Sequence, residues 1–163
     1  MKTSNRIVLS SDHSAIQLRQ AIAVHATTQG WEVVDIGPST PESTHYPLHG
    51  EAAARLVASG DCQFGIILCG TGQGIMMAAN KVKGIRCGVC SETFSARMIR
   101  QHNDANMLSI GARVVGEGLA LDIVDAFLTA GFEGGRHATR VAMIDAAGDS
   151  HLRNGTTICR RLG

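Results

Sequence analysis

The stretch Gly65-Ile66-Ile67-Leu68-Cys69-Gly70-Thr71-Gly72-Gln73-Gly74 decides how this chain folds. Its first five residues are apolar throughout and contain paired β-branched side chains. That pattern belongs to a parallel strand buried on both faces; a strand with one wet face would alternate. Three glycines then fall within five residues, a tight turn, and Ile75–Lys81 beyond it reads as a helix. A strand running through a glycine turn into a helix is the repeating step of an α/β fold.

The same step recurs outward in both directions. Towards the N-terminus, Ile7–Ser10 is a short apolar strand. Ala15–Thr28 follows, with Ile16, Leu18, Ile22 and Ala23 at helical spacing and Gly30 placed to cap it. Trp31–Ile36 reads as a second strand, ended by Gly37-Pro38. A polar loop, Ser39–His45, leads into a helix from Pro47 to about Ser59. Towards the C-terminus come a strand at Ile85–Cys90, a helix at Glu92–Gln101, a short strand at Met107–Ile110 and an amphipathic helix at Glu117–Ala130. A weaker helical pattern occupies Thr139–Ala147. The alternation predicts a doubly wound α/β fold: a Rossmann-like three-layer arrangement with a central five-stranded parallel sheet and a C-terminal helix. No repeat, linker or low-complexity stretch interrupts it, so residues 1–163 are read as one domain.

Composition removes several function classes. Charged residues make up 18%, below the usual quarter, which excludes long disordered or coiled-coil stretches. Fifteen basic against fourteen acidic residues, with six aromatic ones, leave neither the basic excess nor the stacking platforms of a nucleic-acid binder. No apolar run suits a signal peptide or a membrane span, so no membrane partner and a cytoplasmic location are expected. The odd count of five cysteines (Cys62, Cys69, Cys87, Cys90, Cys159) fits reduced thiols better than a disulfide framework. Cys87 and Cys90 have redox spacing but lie on a predicted strand, where positions three apart face opposite sides. They are read as core cysteines, and they lack the second pair a zinc site needs.

Open α/β sheets bind ligands beyond the carboxyl ends of their strands. Ser11-Asp12-His13 follows the first strand and Cys69–Gly74 the third. His102-Asn103-Asp104-Ala105-Asn106 follows the fourth strand and its helix; Arg113, Arg136-His137 and Arg140 come later. These residues are expected to gather at one site. The glycine loop is either a bare turn or an amide-lined cradle for an anion, a phosphate or an enediolate oxygen. It is not a Walker loop, because no Gly-Lys-Ser/Thr follows. Cys69 is either a buried structural cysteine or a thiolate favoured by the loop amides and helix N-terminus, acting as nucleophile or proton-transfer base. A phosphatase would need an arginine six positions later, where Ile75 stands. Arg113, Arg136 and Arg140 are candidates for clamping a phosphate or a solvated basic face, Arg136 and Arg140 sharing one helix face. His25, His49 and His151 are assigned to the surface.

Taken together, these pieces resemble the ribose-5-phosphate isomerase B family, which includes the galactose-6-phosphate isomerase subunits. The match runs from about residue 6 to 147. It includes Ser11-Asp12-His13, Tyr46-Pro47, Cys69–Gly74, Ala78-Ala79-Asn80-Lys81, Gly84-Ile85-Arg86, His102–Asn106, Gly111-Ala112-Arg113 and Glu133–His137 with Arg140. The resemblance implies aldose–ketose isomerisation of a phosphosugar through a cis-enediolate, without metal or organic cofactor. Ribose 5-phosphate to ribulose 5-phosphate is the reaction it implies first. By position, Cys69 looks like the base, assisted by Thr71, with Gly70, Gly72 and Gly74 lining the oxyanion cradle. His102 looks like the ring-opening residue. Asp12, Tyr46 and Asn103 resemble sugar contacts; His13, Arg113, Arg136 and Arg140 resemble the phosphate group. Family members are homodimers or homotetramers with sites shared between subunits, and the tail helix is expected to reach a neighbour. One departure stands out: His45 replaces the usual Asp before Tyr-Pro. It leaves a tetrose or hexose phosphate open as substrate. A non-catalytic phosphosugar-binding module would use the same cradle but needs neither thiol base nor histidine acid.

Overall fold

A computed structural model describes residues 5–148 of the chain; His151 and Cys159 lie outside them. Five parallel strands, β1 (Arg6–Ser11), β2 (Glu32–Asp35), β3 (Phe64–Cys69), β4 (Cys87–Val89) and β5 (Met107–Gly111), form one sheet ordered β2-β1-β3-β5-β4. β3 is central and every residue of it is buried. Its apolar run divides between two cores because alternate side chains face opposite ways. Ile66 and Leu68 join Leu9, Leu108 and Ile110 on one face, while Ile67 and Cys69 join Val8 and Met107 on the other.

Six helices cover those faces. On the first lie α1 (Ile16–Thr28), α4 (Thr93–Asn103) and α5 (Glu117–Thr129), which contribute Ile22, Ala96, Ile123 and Phe127. On the second lie α2 (Tyr46–Ala58) and α3 (Gln73–Ala79), which contribute Ala53, Val57, Ile75 and Ala79. The predicted α/β class and five-stranded sheet are therefore present, in three layers. α6 (Arg136–Gly148) packs against α4. Cys87 and Cys90 fall in opposite cores, as their spacing on a strand requires. Burial pushes the Cys90 thiol up to about 11, with Glu92 adding to the effect. Both cysteines are packing groups.

Several boundaries move for local reasons. β4 starts at Cys87, later than the predicted Ile85, because the Ile85 amide turns back to the Val82 carbonyl and the Arg86 amide donates to the Asn106 side chain. α6 begins at Arg136, ahead of the predicted Thr139, because Gly134 and Gly135 both adopt positive φ and turn the chain into the helix. α4 runs to Asn103, past the predicted Gln101. Asp104 then closes it in the left-handed conformation, with φ 45°. Its carboxylate accepts from the buried Arg100 at 2.8 Å and from Arg86 at 3.0 Å. The Asn106 side chain accepts from the Arg86 amide and donates to the Gly84 carbonyl. Two members of the His102–Asn106 motif thus serve architecture.

Replacing Asp104 by Ala should lower stability by about 2–4 kcal/mol, from left-handed strain plus two lost charge partners. Asp104→Asn, which tolerates the same φ, should lose roughly half of that in urea melts.

Candidate active site

The sheet reverses its winding between β1 and β3, and ligands in such sheets bind at that switch point. Asp12 and Cys69 stand on either side of it. The Asp12 amide donates to the Leu68 carbonyl at 3.1 Å, holding the two strand ends together. Beyond Asp12 a single 3-10 turn, His13–Ala15, is capped by its carboxylate, which accepts from the Ser14 amide and hydroxyl.

The glycine turn after β3 has a geometry that only its sequence permits. Gly72 has φ 77°, and a Cβ there would lie 2.7 Å from Val89 and 3.0 Å from the Ile110 backbone. Only glycine satisfies both limits. The Gly72 amide donates to Cys69 Sγ at 3.2 Å, and its carbonyl accepts from buried Ser109 Oγ at 2.7 Å. The sulfur therefore faces the Gly72 amide of the turn. Cys69 is buried to 5% exposure and Thr71 is exposed at the rim. Tyr46 lies against Gly74, where a Cβ would meet its ring at 2.6 Å. Arg113 lies over Gly70, its backbone amide bonded to the Gly70 carbonyl. His13 Nδ1 accepts from the Thr44 amide at 3.2 Å, and so Nε2 carries the proton of the neutral ring. A cleft of about 350 Å³ opens beside His13, lined in part by Ser14, Ser39, Pro41 and Ala112. One end of the sheet thus gathers Asp12, His13, Tyr46, Cys69, Gly70, Thr71, Gly72, Gly74 and Arg113.

His102, Asn103, Arg136 and Arg140 are elsewhere, which corrects the expectation of one gathering point. α4 runs back along the sheet, opposite to the strands, so its last turn lies at their amino ends. The Asn106 carbonyl accepts from the Gly65 amide, and residues 65 and 107 are in register at that end; 69 and 111 are in register at the other. Four strand steps, about 13 Å, separate the two levels. His102 stacks on His137 of α6, with ring centroids 4.2 Å apart. The Glu133 amide bonds to Gln101 at 3.0 Å, fastening the start of α6 to the end of α4. Asn103, Arg136 and Arg140 are exposed beside them.

Three residues at the two ends of the sheet receive no individual role from the sequence. Arg19 is 3% exposed and donates to Asp35, to Ser11 Oγ at 2.7 Å and to the Pro38 carbonyl at 2.8 Å. It fastens β1, β2 and the start of the 39–45 loop that carries Thr44 to His13. Gly37 admits its guanidinium: a Cβ would sit 2.0 Å from Nη1. His49, assigned to the surface, is half-buried; burial lowers its pKa, Asp12 opposes that, and Arg19 adds to it. Buried His137 lies under His102. Its only signal in the sequence is its place in Glu133–His137.

Removing the Arg19 guanidinium leaves three acceptors without their donor. Arg19→Ala should cost about 3–5 kcal/mol in chemical denaturation, and Arg19→Lys, which cannot span all three, should recover only part.

Comparison with known proteins places this geometry. A family model described as Ribose/Galactose Isomerase matches residues 7–144. Ribose-5-phosphate isomerase B of Escherichia coli (strain K12) is 49% identical over 141 residues, covering 86% of this chain and 95% of its own. The galactose-6-phosphate isomerase subunit LacB of Clostridium acetobutylicum is 40% identical over 127 residues, 78% of this chain and 73% of its own. Among solved structures, Clostridium thermocellum ribose-5-phosphate isomerase B superposes with a TM-score of 0.88 at 51% identity, covering 90% of this chain and 99% of that one. Ribose-5-phosphate isomerase B of Mycoplasma genitalium, with bound ribulose-5-phosphate, gives 0.84 at 37% identity, with 89% and 97% covered.

Proposed function

From the premise that this chain belongs to the ribose/galactose isomerase family, and is thus a sugar-phosphate aldose–ketose isomerase, we propose that it interconverts ribose 5-phosphate and ribulose 5-phosphate in a homodimeric site. The observation that carries the chemistry is the Gly72 amide directed at Cys69 Sγ within the glycine turn. In the proposed reaction His102 gives a proton to the ring oxygen, the C1–O4 bond breaks, and the anomeric hydroxyl releases its proton to water as the aldehyde forms. The Cys69 thiolate then takes the proton from C2 of the aldehyde. Electrons move into a cis-enediolate whose oxygen rests on the amides of Gly70–Gly74. The same proton returns to C1, while Thr71 assists the hydroxyl proton's move between O1 and O2. Asp12, Tyr46 and Asn103 hold sugar hydroxyls. His13, Arg113, Arg136 and Arg140 hold the phosphate, whose binding energy fixes the reacting carbons.

Separation of the two residue groups within one chain supports the shared site. The Cys69 end of one copy meets the His102, Asn103, Arg136 and Arg140 end of the other, and two-fold symmetry makes two such sites per dimer.

Two measurements test this reading. Cys69→Ala and His102→Ala homodimers should each be nearly inactive on ribose 5-phosphate. Unfolding and refolding them together in equal amounts should restore about a quarter of wild-type turnover, since half the dimers are mixed and each has one intact site. A site contained in one chain would recover nothing. One observation supplies a second reading, a tetrose or hexose phosphate as substrate: exposed His45 stands before Tyr46 where the family resemblance implies an Asp. If kcat/KM for galactose or allose 6-phosphate exceeds that for ribose 5-phosphate, the substrate assignment is wrong and the isomerase class stands.

A further inference from the structure

The end of α4 and the start of α6 bring together three metal-ligating side chains to which isomerisation gives no joint task. His102 and His137 lie ring on ring, with 1° between their planes. Glu133 Oε2 is 3.6 Å from His137 Nε2 and 3.9 Å from His102 Nε2. One ligand atom from each residue falls within 4.8 Å of the others. Nitrogen and oxygen ligands at about 2.0–2.2 Å from a tetrahedral ion stand roughly 3.3 Å apart. Imidazole lone pairs lie in the ring plane, so the two parallel rings must unstack and turn towards each other to share one ion. Sequence reading found no metal set because Glu133 and His137 lie some thirty positions from His102 and meet it only through the fastening of α6 to α4.

The surroundings select the ion. Arg136 donates to His137 Nε2 at 3.4 Å, a long bond that a metal would displace, and Arg140 lies on the same helix. Magnesium and calcium, which depend on oxygen ligands, gain little from one carboxylate in this positive setting. Two imidazoles with one carboxylate suit zinc, copper and nickel, and leave a fourth position open. Burial, reinforced by the nearby His102, Arg136 and Arg140 and opposed by Glu133, lowers the pKa of His137.

We propose that His102, Glu133 and His137 form a binding site for a first-row divalent ion, Zn²⁺ being the best match, and that its occupancy inhibits the enzyme by withdrawing His102. The inhibitory half rests on the ring-opening role proposed above; the binding half does not.

The test titrates the chelator-stripped enzyme with Zn²⁺ against a chromogenic competitor. One ion per chain is expected, retained by Cys69→Ala and weakened at least roughly tenfold by Glu133→Gln and by His137→Gln. Glu133 is half-exposed, so Glu133→Gln should fold normally and keep metal-free kcat within about twofold, while its inhibition by Zn²⁺ shifts at least roughly tenfold upward. Binding unchanged in both variants, or lost in Cys69→Ala, overturns the site. If the site binds Zn²⁺ without slowing turnover, the inhibitory half is wrong. Retained activity in His102→Ala would instead show that the ring-opening role is wrong, while the binding result stands.

Discussion

Parallel pairing is the constraint from which the rest follows. Every strand ends at one side of the sheet, and every connecting helix must carry the chain back to the other. Groups placed directly after a strand therefore collect at the carboxyl ends, and groups at the end of a returning helix collect at the amino ends. Asp12 and Cys69 belong to the first class; His102 and Asn103 belong to the second. The fold itself keeps the thiol from the histidine within one molecule, and no side-chain rotation crosses four strand steps.

The carboxyl end is correspondingly rigid. Gly72 stays in its left-handed conformation because Val89 and the Ile110 backbone leave no room for anything larger. Ser109 holds its carbonyl from the next strand, and its amide is thereby directed at the sulfur. At the same end of the sheet Arg19 fastens the ends of β1 and β2 to the loop from which Thr44 sets the His13 tautomer. These contacts are all made within the one chain, so the geometry at this end is set in advance. The amino end is fixed in another way. Arg86 joins Asp104 at the end of α4 to Asp145 of α6, and the Glu133 amide joins the α6 entry to Gln101. The surface bearing His102 and the exposed arginines is therefore a defined face.

The sheet was legible in the sequence because burial on both sides leaves an apolar run, as in Ile66-Ile67-Leu68, and glycine turns punctuate it. The glycine turn was legible for a related reason: a left-handed residue with backbone packed against it admits only glycine, and Gly72 records it directly. Placement of the second group was not read, because a motif following a strand and its helix was counted with motifs following strands. Arg19 was invisible for a different reason. A single arginine on an amphipathic helix resembles a solvated residue, and its acceptors come from Ser11, Asp35 and Pro38, scattered through the chain. His137 and Glu133 were seen only as letters of a motif, since their contact with His102 depends on the docking of α6.

On the proposed reading, dividing the site between two copies has a chemical consequence. Ring opening needs an acid at the ring oxygen; isomerisation needs a base at C2 and a cradle for its neighbouring oxygen. One phosphosugar spans all of these positions. In an isolated chain His102 packs on His137 with no cradle before it, and Cys69 faces a cradle with no ring acid in reach. Catalytic competence then belongs to the assembled pair, because only association brings the two rigid ends of the sheet into register. Neither half is wasted on the reactive open-chain sugar alone: the residue that opens the ring and the pocket that stabilises its enediolate arrive together, around the same substrate.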